Sequence, residues 1–222
     1  MNSTNTELLE HLLSYLTERR RELFRQVMDE RTFHFTLATE DVYQLHNTSA
    51  VIRSCDVFGI QDVHIIEEQL GKKLDREIAM GAQKWVSVHR HSNSKDCVSK
   101  LRSSGYRIIA TIPHGEATPL EEFDVTRKSV FFFGKEKEGL SQDVLDTADE
   151  FLQIPMFGFT ESLNISVSAA IILHHVVTQL RKSEVDWKLN PQERLELELH
   201  WAKRSVKSSE EIIKRFLNDK NS

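Results

Sequence analysis

Polar residues cluster at the start of a long apolar helix, where a core element would ordinarily be hydrophobic. The helix is predicted over about 164–181, after a strand at 151–154 that stops at Pro155 because proline cannot donate to a sheet. The polar residues are Ser162, Asn164, Ser166 and Ser168. A buried hydroxyl or amide without a partner costs about 1–3 kcal/mol, so these groups need partners. Either Ser162 or Asn164 caps the helix while the serines permit close packing, or the segment holds a ligand.

A second candidate is the pair Asn47 and Arg53, in a predicted helix that opens at Asn47 and ends at Gly59. The residues of this helix that we expect to face inward are Ala50, Val51, Val57 and Phe58. An arginine within such an apolar run either extends its charged end into water or binds an anion. Both interpretations of Arg53 stay open on spacing alone.

A third candidate is the glycine-bracketed turn at 134–140, which follows a strand predicted at 129–133 and precedes a short helix capped by Ser141. Glycine lets a ligand approach the backbone closely. The glycine spacing is that of a phosphate-binding loop, but Leu140 stands where the lysine must be, and the carboxylates of the turn would repel a triphosphate. Hydrolysis of ATP or GTP is therefore disfavoured. No Gly-x-Gly-x-x-Gly pattern follows a strand, so a dinucleotide enzyme lacks support as well.

These three segments, in this order, resemble the motifs of the SpoU branch of the knotted (SPOUT) methyltransferases. The first motif is matched by Asn47 and Arg53. The second motif is matched by Gly134, Glu136, Gly139 and Leu140. The third motif is matched by Ile154, Pro155, Met156, Ser162, Leu163, Asn164 and Ser166. Within this family they look most like the TrmH group, which methylates the ribose 2′-oxygen of guanosine 18 in tRNA.

The resemblance implies an S-adenosylmethionine-dependent tRNA 2′-O-ribose methyltransferase that acts on guanosine 18 in the D-loop. The catalytic residues that it implies are Arg53, Asn47, Glu136, Ser162 and Asn164. A guanidinium stays protonated and is a poor proton acceptor, so we expect Arg53 to hold the substrate phosphate and stabilise the developing alkoxide, with that phosphate or water receiving the proton. Asn47, Ser162 and Asn164 are expected to orient the guanidinium or the ribose. Glu136 is expected to anchor its loop by accepting hydrogen bonds from the backbone or from Asn47.

The resemblance also implies which residues bind the methyl donor and the RNA. For S-adenosylmethionine they are Thr111, Gly134, Ile154, Met156 and Leu163, with backbone groups reading the adenine edge and apolar side chains enclosing the ring. For tRNA, the arginines that match RNA-contacting positions of the family are Arg20 and Arg31. Charge alone adds Lys203, Arg204 and Lys207, because basic residues cluster near both ends of a chain whose net charge is −5. Without the resemblance, a solvated helix face is the better interpretation of both clusters.

Composition bounds the remaining possibilities. A chain of 222 residues with 39% hydrophobic residues can bury one sizeable core, and it shows neither a signal peptide nor an apolar run of membrane-spanning length. Cys55 and Cys97 lack any paired spacing, which fits a reducing cytoplasm. The 10 histidines are scattered without companion ligands at zinc spacing, so no metal site is predicted and turnover is expected without added metal.

Strands alternate with helices along the chain, which predicts an α/β fold with a mostly parallel sheet covered by helices on both faces. Besides the elements above, strands are predicted at 33–38, 62–67, 85–89 and 106–112, and helices at 6–30, near 76–81, at 94–104 and from 191 onward. The predicted divisions are a basic helical extension at 1–32, a methyltransferase domain at 33–182 and a C-terminal helical extension at 183–222. A deep trefoil knot at the C-terminal side of the domain is implied by the resemblance alone.

The helix at 164–181 is apolar on nearly all sides, so it needs a cover on more than one face. We therefore expect a homodimer with the active site close to its interface, since two-fold pairing is the commonest soluble assembly. Two other functions remain as alternatives. One is a 2′-O-methyltransferase that acts on ribosomal RNA or on another tRNA position; the 46 residues before the first motif leave little room for the extra RNA-binding domain that ribosomal enzymes of the family commonly carry. The other is a non-catalytic RNA-binding module, against which the complete motifs argue.

Overall fold

The computed structural model describes residues 2–42, 45–68 and 81–220 of the chain. The chain divides into two compact units. The larger unit is Thr32–Trp187, and the smaller combines Met1–Arg31 with Lys188–Ser222. The helical piece predicted near 76–81 lies outside the described residues except for its last position.

The larger unit is built on a seven-stranded sheet in which every described strand pairing is parallel. The strands are β1 (Phe35–Glu40), β2 (Asp62–Ile66), β3 (Ser87–His91), β4 (Arg107–Thr111), β5 (Thr118–Pro119), β6 (Ser129–Phe133) and β7 (Glu150–Gln153). Their order across the sheet is β3-β2-β1-β6-β4-β7-β5. The predicted parallel α/β sheet is therefore confirmed.

The α-helices of the described residues follow the predicted order. At each end of the chain, however, the structure has two helices where the sequence predicts one continuous helical region. They are α1 (Asn2–Leu13), α2 (Glu18–Met28), α3 (Leu45–Val57), α4 (Ser94–Ser103), α5 (Gln142–Thr147), α6 (Ile165–Leu180), α7 (Pro191–Ser205) and α8 (Ser209–Lys220). The helices α3 to α6 belong to the larger unit, and the other four belong to the smaller one.

Helices cover both faces of the sheet. Neighbouring residues of a strand point to opposite faces, so each strand contributes side chains to two separate clusters. On one face Leu37 belongs to a buried cluster that includes residues of α3 and α6, which pack against each other. On the other face Ala38 belongs to a cluster that includes Leu101 of α4 and Val144 of α5. The strands are therefore buried on both sides, which explains their nearly continuous hydrophobic sequences.

The helix predicted as one piece over 6–30 is two helices, so that prediction was wrong. Residues 14–17 separate α1 from α2. Thr17 has an extended backbone and its hydroxyl accepts a hydrogen bond from the Arg20 backbone N–H at 3.3 Å, so it serves as a new N-cap. The apolar periodicity continues through this break, and periodicity alone did not reveal it.

Two further expectations differ from the structure in detail. Val57, expected to face inward from α3, is 76% exposed. The strand predicted at 85–89 is observed two residues later, as β3. Strand side chains alternate between the two faces with a period of two, so this even shift does not change the face predicted for each side chain.

The smaller unit joins both ends of the chain. Its core consists of apolar residues of α1, of α7 and of the residue that follows α7. These residues are Leu8, Leu9, Leu12, Leu199, Ala202 and Val206. The terminal segments, predicted as separate extensions, therefore pack together, while domain boundaries after residues 32 and 182 stay a prediction. None of the described helices is long and apolar enough to cross a membrane.

Candidate active site

A cavity of about 690 Å³ lies where three neighbouring strands end. Thr111 ends β4, Gly134 follows β6, and Ile154 follows β7, and all three line the cavity. Ligands of parallel α/β sheets bind at this carboxyl edge, where the loops diverge. The volume is in the range of pockets that enclose a small-molecule ligand.

All five residues predicted to bind the methyl donor line this one cavity: Thr111, Gly134, Ile154, Met156 and Leu163. The predicted catalytic residues Glu136, Ser162 and Asn164 line it as well. The Thr111 hydroxyl donates to the Phe132 carbonyl at 2.6 Å, which ties the end of β4 to β6. The structure thus brings together side chains that are up to 53 positions apart in the sequence, between Thr111 and Asn164.

The loop after β6 has a shape that only glycine at its start permits. The Lys135 N–H donates to the Gly139 carbonyl at 2.9 Å, and the Gly139 N–H donates back to the Lys135 carbonyl at 3.1 Å. This closed turn brings its far side against Gly134, where an added Cβ would overlap the backbone of Gly139 and Leu140. The glycine bracket therefore sets the wall of the cavity, as expected from its position.

Hydrogen bonds of the buried Asn47 connect the three motif segments. Asn47 Nδ2 donates to Glu136 Oε1 at 2.5 Å, and Asn47 Oδ1 accepts from Asn164 Nδ2 at 3.1 Å. A carboxylate can only accept, so the Asn47 amide must present its nitrogen to Glu136 and its oxygen to Asn164. Glu136 therefore accepts from Asn47, one of the two donors predicted for it.

Asn164 is the N-cap of α6. Its Oδ1 accepts from the Ser166 backbone N–H at 2.8 Å and from the Ser166 hydroxyl at 2.6 Å. Of the two candidates for this role, Asn164 caps the helix, while Ser162 lines the cavity together with Ser168. Because Asn164 also bonds to Asn47, the same side chain starts the helix and holds the loop before it.

Arg53 does not reach the cavity within this chain. Asn47 is 2% exposed, whereas Arg53 belongs to the exposed residues of α3. Six positions on a helix correspond to about one and two-thirds turns, so the two side chains point in different directions. Within the described part of the chain, the Arg53 side chain makes no hydrogen bond or ion pair. The expectation that Asn47, Ser162 and Asn164 orient the guanidinium or the ribose stays a prediction.

The sequence analysis missed Glu40, a buried carboxylate at the end of β1. Glu40 Oε2 accepts from the Ser141 N–H at 2.7 Å, and Oε1 accepts from the Ser141 hydroxyl at 2.5 Å and from the Ser94 hydroxyl. Ser141 holds the predicted N-cap position of α5, but its hydroxyl donates to Glu40 instead of accepting from the helix. Two consecutive acids, Glu40 and Asp41, at the end of a buried strand were the signal that could have identified it.

Four of the five predicted RNA-binding residues are exposed, all in the smaller unit: Arg20, Lys203, Arg204 and Lys207. The fifth, Arg31, is 1% exposed, and its guanidinium lies 5.5 Å from the ring centre of Trp201. A guanidinium over an indole face gains a cation–π interaction that helps to pack the unit. Arg31 is therefore buried where an exposed cation was expected, and its RNA contact stays a prediction.

Comparison with known proteins agrees with the motifs. The model of the SpoU rRNA methylase family matches residues 34–174. The chain is 36% identical over 207 residues to a tRNA (guanosine(18)-2′-O)-methyltransferase of Borreliella burgdorferi, which covers 93% of this chain and 94% of that one. It is 34% identical over 167 residues to a protein of the same name from Thermus thermophilus, which covers 75% of this chain and 86% of that one.

A solved structure has the same architecture. The A. aeolicus TrmH/SpoU tRNA modifying enzyme superposes with a TM-score of 0.76 at 28% identity, over 86% of this chain and 98% of that chain. The family match spans the described cavity and all three motif segments. This chain therefore belongs to the SpoU rRNA methylase family.

Proposed function

We propose that the protein transfers a methyl group from S-adenosylmethionine to the ribose 2′-oxygen of guanosine 18 in tRNA. The observation that carries the proposal is that Asn47 ties all three motif segments together beside one cavity. The choice of substrate is supported by relatives, matched over most of their length, that are named tRNA (guanosine(18)-2′-O)-methyltransferases.

The residues around the cavity fit S-adenosylmethionine, which supplies a methyl group on a positively charged sulfur when it is bound. Ile154, Met156 and Leu163 offer an apolar enclosure for an adenine ring. Glu161 lines the same cavity and offers a carboxylate to the positive charge of the ligand. Gly134 leaves its backbone open to close approach.

The protein contributes positioning and management of the ribose proton, because the methyl group is already activated. Asn47 and Glu136 hold the loops that form the cavity and need not touch the RNA. Arg53 binds the phosphate beside the target ribose and stabilises the negative charge that develops on the 2′-oxygen. The proton passes to that phosphate or to water, since a guanidinium keeps its own.

Arg53 serves a site completed by a second copy of the chain. It lies four positions before Val57, so both occupy one face of α3, and Val57 is 76% exposed. Other exposed apolar residues of the larger unit are Phe157, Phe159, Leu163, Val167 and Ile171. Leu163 lines the cavity, and Val167 and Ile171 lie on α6. The exposed apolar surface therefore borders the cavity. A homodimer that covers this surface brings Arg53 of one protomer towards the RNA held at its partner's cavity.

The tRNA is held by the smaller unit as well as by the cavity. The cations assigned to phosphate contacts are exposed, and they are Arg20 on α2 and Lys203, Arg204 and Lys207 on or just after α7. The proposal extends to two further family properties. The chain between β4 and α6 forms a trefoil knot, and the enzyme works in the cytoplasm, where its tRNA substrate and reduced cysteines are found.

The proposal is tested with purified protein, S-adenosylmethionine and a tRNA transcript, followed by mass mapping of nuclease fragments. We expect one methyl group, on the ribose of guanosine 18. A transcript with 2′-deoxyguanosine at position 18 is the matched control and should accept none. Methylation of ribosomal RNA or of another tRNA position instead would select the alternative substrate, and binding of tRNA without any transfer would select the non-catalytic module.

The cofactor assignment has a separate test. Gly134→Ala introduces a Cβ that overlaps the facing backbone of the loop, so affinity for S-adenosylmethionine should fall by about tenfold or more. Gly158→Ala is the control, because its Cβ would meet only the Thr160 nitrogen at 4.0 Å. Titration calorimetry measures both variants. Equal affinities would remove the loop after β6 from the binding site.

A further inference from the structure

A group of histidines lies on the face of the sheet that α4 covers, away from the cavity. His64 on β2 is in register with His89 on β3, and Ile66 is in register with His91. Alternate strand residues share a face, so the rings of His64, His89 and His91 lie on one side. Cys97, on the first turns of α4, lies against the same side.

Three of these side chains point their donor atoms at one place. His64 Nδ1 and His91 Nε2 are 3.0 Å apart, and one ring nitrogen of each histidine and the Cys97 sulfur all lie within 4.8 Å of one another. His64 is 5% exposed and Cys97 is fully buried, while His91 is half-buried. The group is therefore enclosed on the side of the core and reachable from the side of His91.

We propose that His64, His91 and Cys97 form a binding site for a divalent transition-metal ion such as zinc. Imidazole nitrogen and thiolate sulfur are the ligands that zinc prefers. With metal–ligand distances of about 2.0–2.3 Å, a tetrahedral ion separates its ligand atoms by roughly 3.3–3.6 Å. The two histidine nitrogens are slightly closer than that separation, and the group as a whole lies within 4.8 Å, so side-chain movements of roughly an ångström bring the three atoms around one ion.

Metal binding requires two protons to move. The hydrogen bond between His64 and His91 holds one N–H between the rings, and this proton must shift to the other ring nitrogen before both histidines offer a lone pair to the ion. Burial raises the pKa of the Cys97 thiol to about 12, so the thiol keeps its proton until an ion displaces it. On binding, the Cys97 thiol gives its proton to solvent and a sulfur–metal bond forms in its place. The fourth position is open to water on the side of the half-buried His91.

Neighbouring groups hold the ligands in place. The ring of His89 stacks on His64 with centroids 4.9 Å apart, and His89 Nε2 lies 3.1 Å from Asp62 Oδ1. His89 is not a ligand, and its contribution is to pack against the His64 ring. Lys100, one turn after Cys97 on α4, brings a positive charge near the group, but it is exposed and therefore screened by solvent.

The inference goes beyond the proposed methyl transfer. None of the three ligands is among the residues that line the cavity. The ion would connect β2, β3 and α4 and so stabilise the fold rather than take part in the reaction. The three ligands come from three separate elements, so their spacing along the chain does not resemble that of a zinc motif, and the sequence therefore predicted no metal site.

The test uses the full-length, tag-free protein after treatment with a chelator, titrated with Co²⁺ as a spectroscopic substitute for zinc. We expect about one ion per chain and a sulfur-to-cobalt charge-transfer band, which only a thiolate ligand produces. Cys97→Ala should abolish the band and weaken binding by about tenfold or more. Cys55→Ala is the matched control, because Cys55 is equally buried but lies in the apolar cluster of the opposite face.

Thermal unfolding with Zn²⁺ gives a second readout. The melting temperature of the wild type and of Cys55→Ala should rise with Zn²⁺, and that of His91→Asn should not. His91 is only half-buried, so this variant remains informative if Cys97→Ala fails to fold. A missing charge-transfer band in the wild type, or an unchanged band in Cys97→Ala, would overturn the proposal and leave a hydrogen-bonded histidine pair in the core.

Discussion

Asn47 is the residue on which the geometry of the active site depends. It is 2% exposed, and its side-chain amide donates to Glu136 and accepts from Asn164. Alanine provides neither function, and aspartate provides no donor when it is ionised. No other standard side chain of the same shape carries both a donor and an acceptor, so substitutions at Asn47 separate the contribution of its shape from that of its hydrogen bonds.

Replacing Asn47 by aspartate places a second carboxylate beside Glu136, whose Oε1 lies 2.5 Å from Asn47 Nδ2. Carboxylates this close repel each other unless they share a proton. We therefore expect Asn47→Asp to lower unfolding free energy and S-adenosylmethionine affinity at neutral pH, with partial recovery as the pH falls. Asn47→Ala should lose about 1–3 kcal/mol of unfolding free energy without that pH dependence. Denaturant unfolding and calorimetry at several pH values measure this, and identical pH profiles would contradict it.

Arg53 is expected to act on the RNA and the transition state only. Arg53→Ala should lower turnover by about 10²–10³-fold while S-adenosylmethionine binding is unchanged. Arg53→Lys should fail as well, because a point charge does not reproduce the planar fork. Single-turnover kinetics and cofactor titration distinguish these effects, and Arg127→Ala, an exposed arginine outside the site, is the control. A lysine variant with most of its rate would mean that positive charge alone is sufficient.

Among the elements, the terminal helices carry the cations that we assign to tRNA binding. We expect weaker tRNA binding when a cation is neutralised at Arg20, Lys203, Arg204 or Lys207. The slope of log affinity against log salt concentration should fall by roughly 0.7–0.9 for each phosphate contact that the variant loses. Filter binding at several salt concentrations measures both quantities. Lys100→Gln, which removes an exposed cation of α4, should leave the slope unchanged. If all four changes together left the slope intact, the clusters would be solvated faces.

Elements and site residues that depend on local signals could be predicted from the sequence. A helix cap at Ser162 or Asn164 and the glycine loop at Gly134 follow from side-chain and backbone chemistry within a few residues, and the structure selects Asn164 as the cap. Features that depend on distant partners could not. Arg31 is buried because Trp201, 170 positions later, covers it. The direction of Arg53 depends equally on which face of α3 packs against α6, and no local pattern specifies that.

At the scale of the whole molecule, the exposed apolar surface beside the cavity predicts a homodimer. Sedimentation at micromolar concentration should give about twice the chain mass of 25.7 kDa. Ile171→Asp places a charge on the outer face of α6, where Ile171 is 38% exposed, and should produce monomers that have lost most turnover.

The matched control for this prediction lies on the smaller unit. Leu217 on α8 is 39% exposed, so Leu217→Asp changes an apolar side chain of similar exposure outside the proposed interface. This variant should remain dimeric and active. A wild-type protein that sediments as a fully active monomer would rule out the shared active site and leave the exposed position of Arg53 unexplained.

Glu40 has a consequence for how the larger unit opens. One carboxylate accepts from Ser94 at the start of α4 and from Ser141 at the start of α5. Neither helix start can detach without leaving part of that buried charge unsolvated, which is costly. We therefore expect α4 and α5 to open locally as one cooperative unit, so that backbone amides at the two helix starts exchange at a common rate in hydrogen-exchange measurements. The wall of the cavity between Gly134 and Ser141 should then persist as long as that unit, although one of its supports, Ser94, lies on a helix from which no described residue lines the cavity.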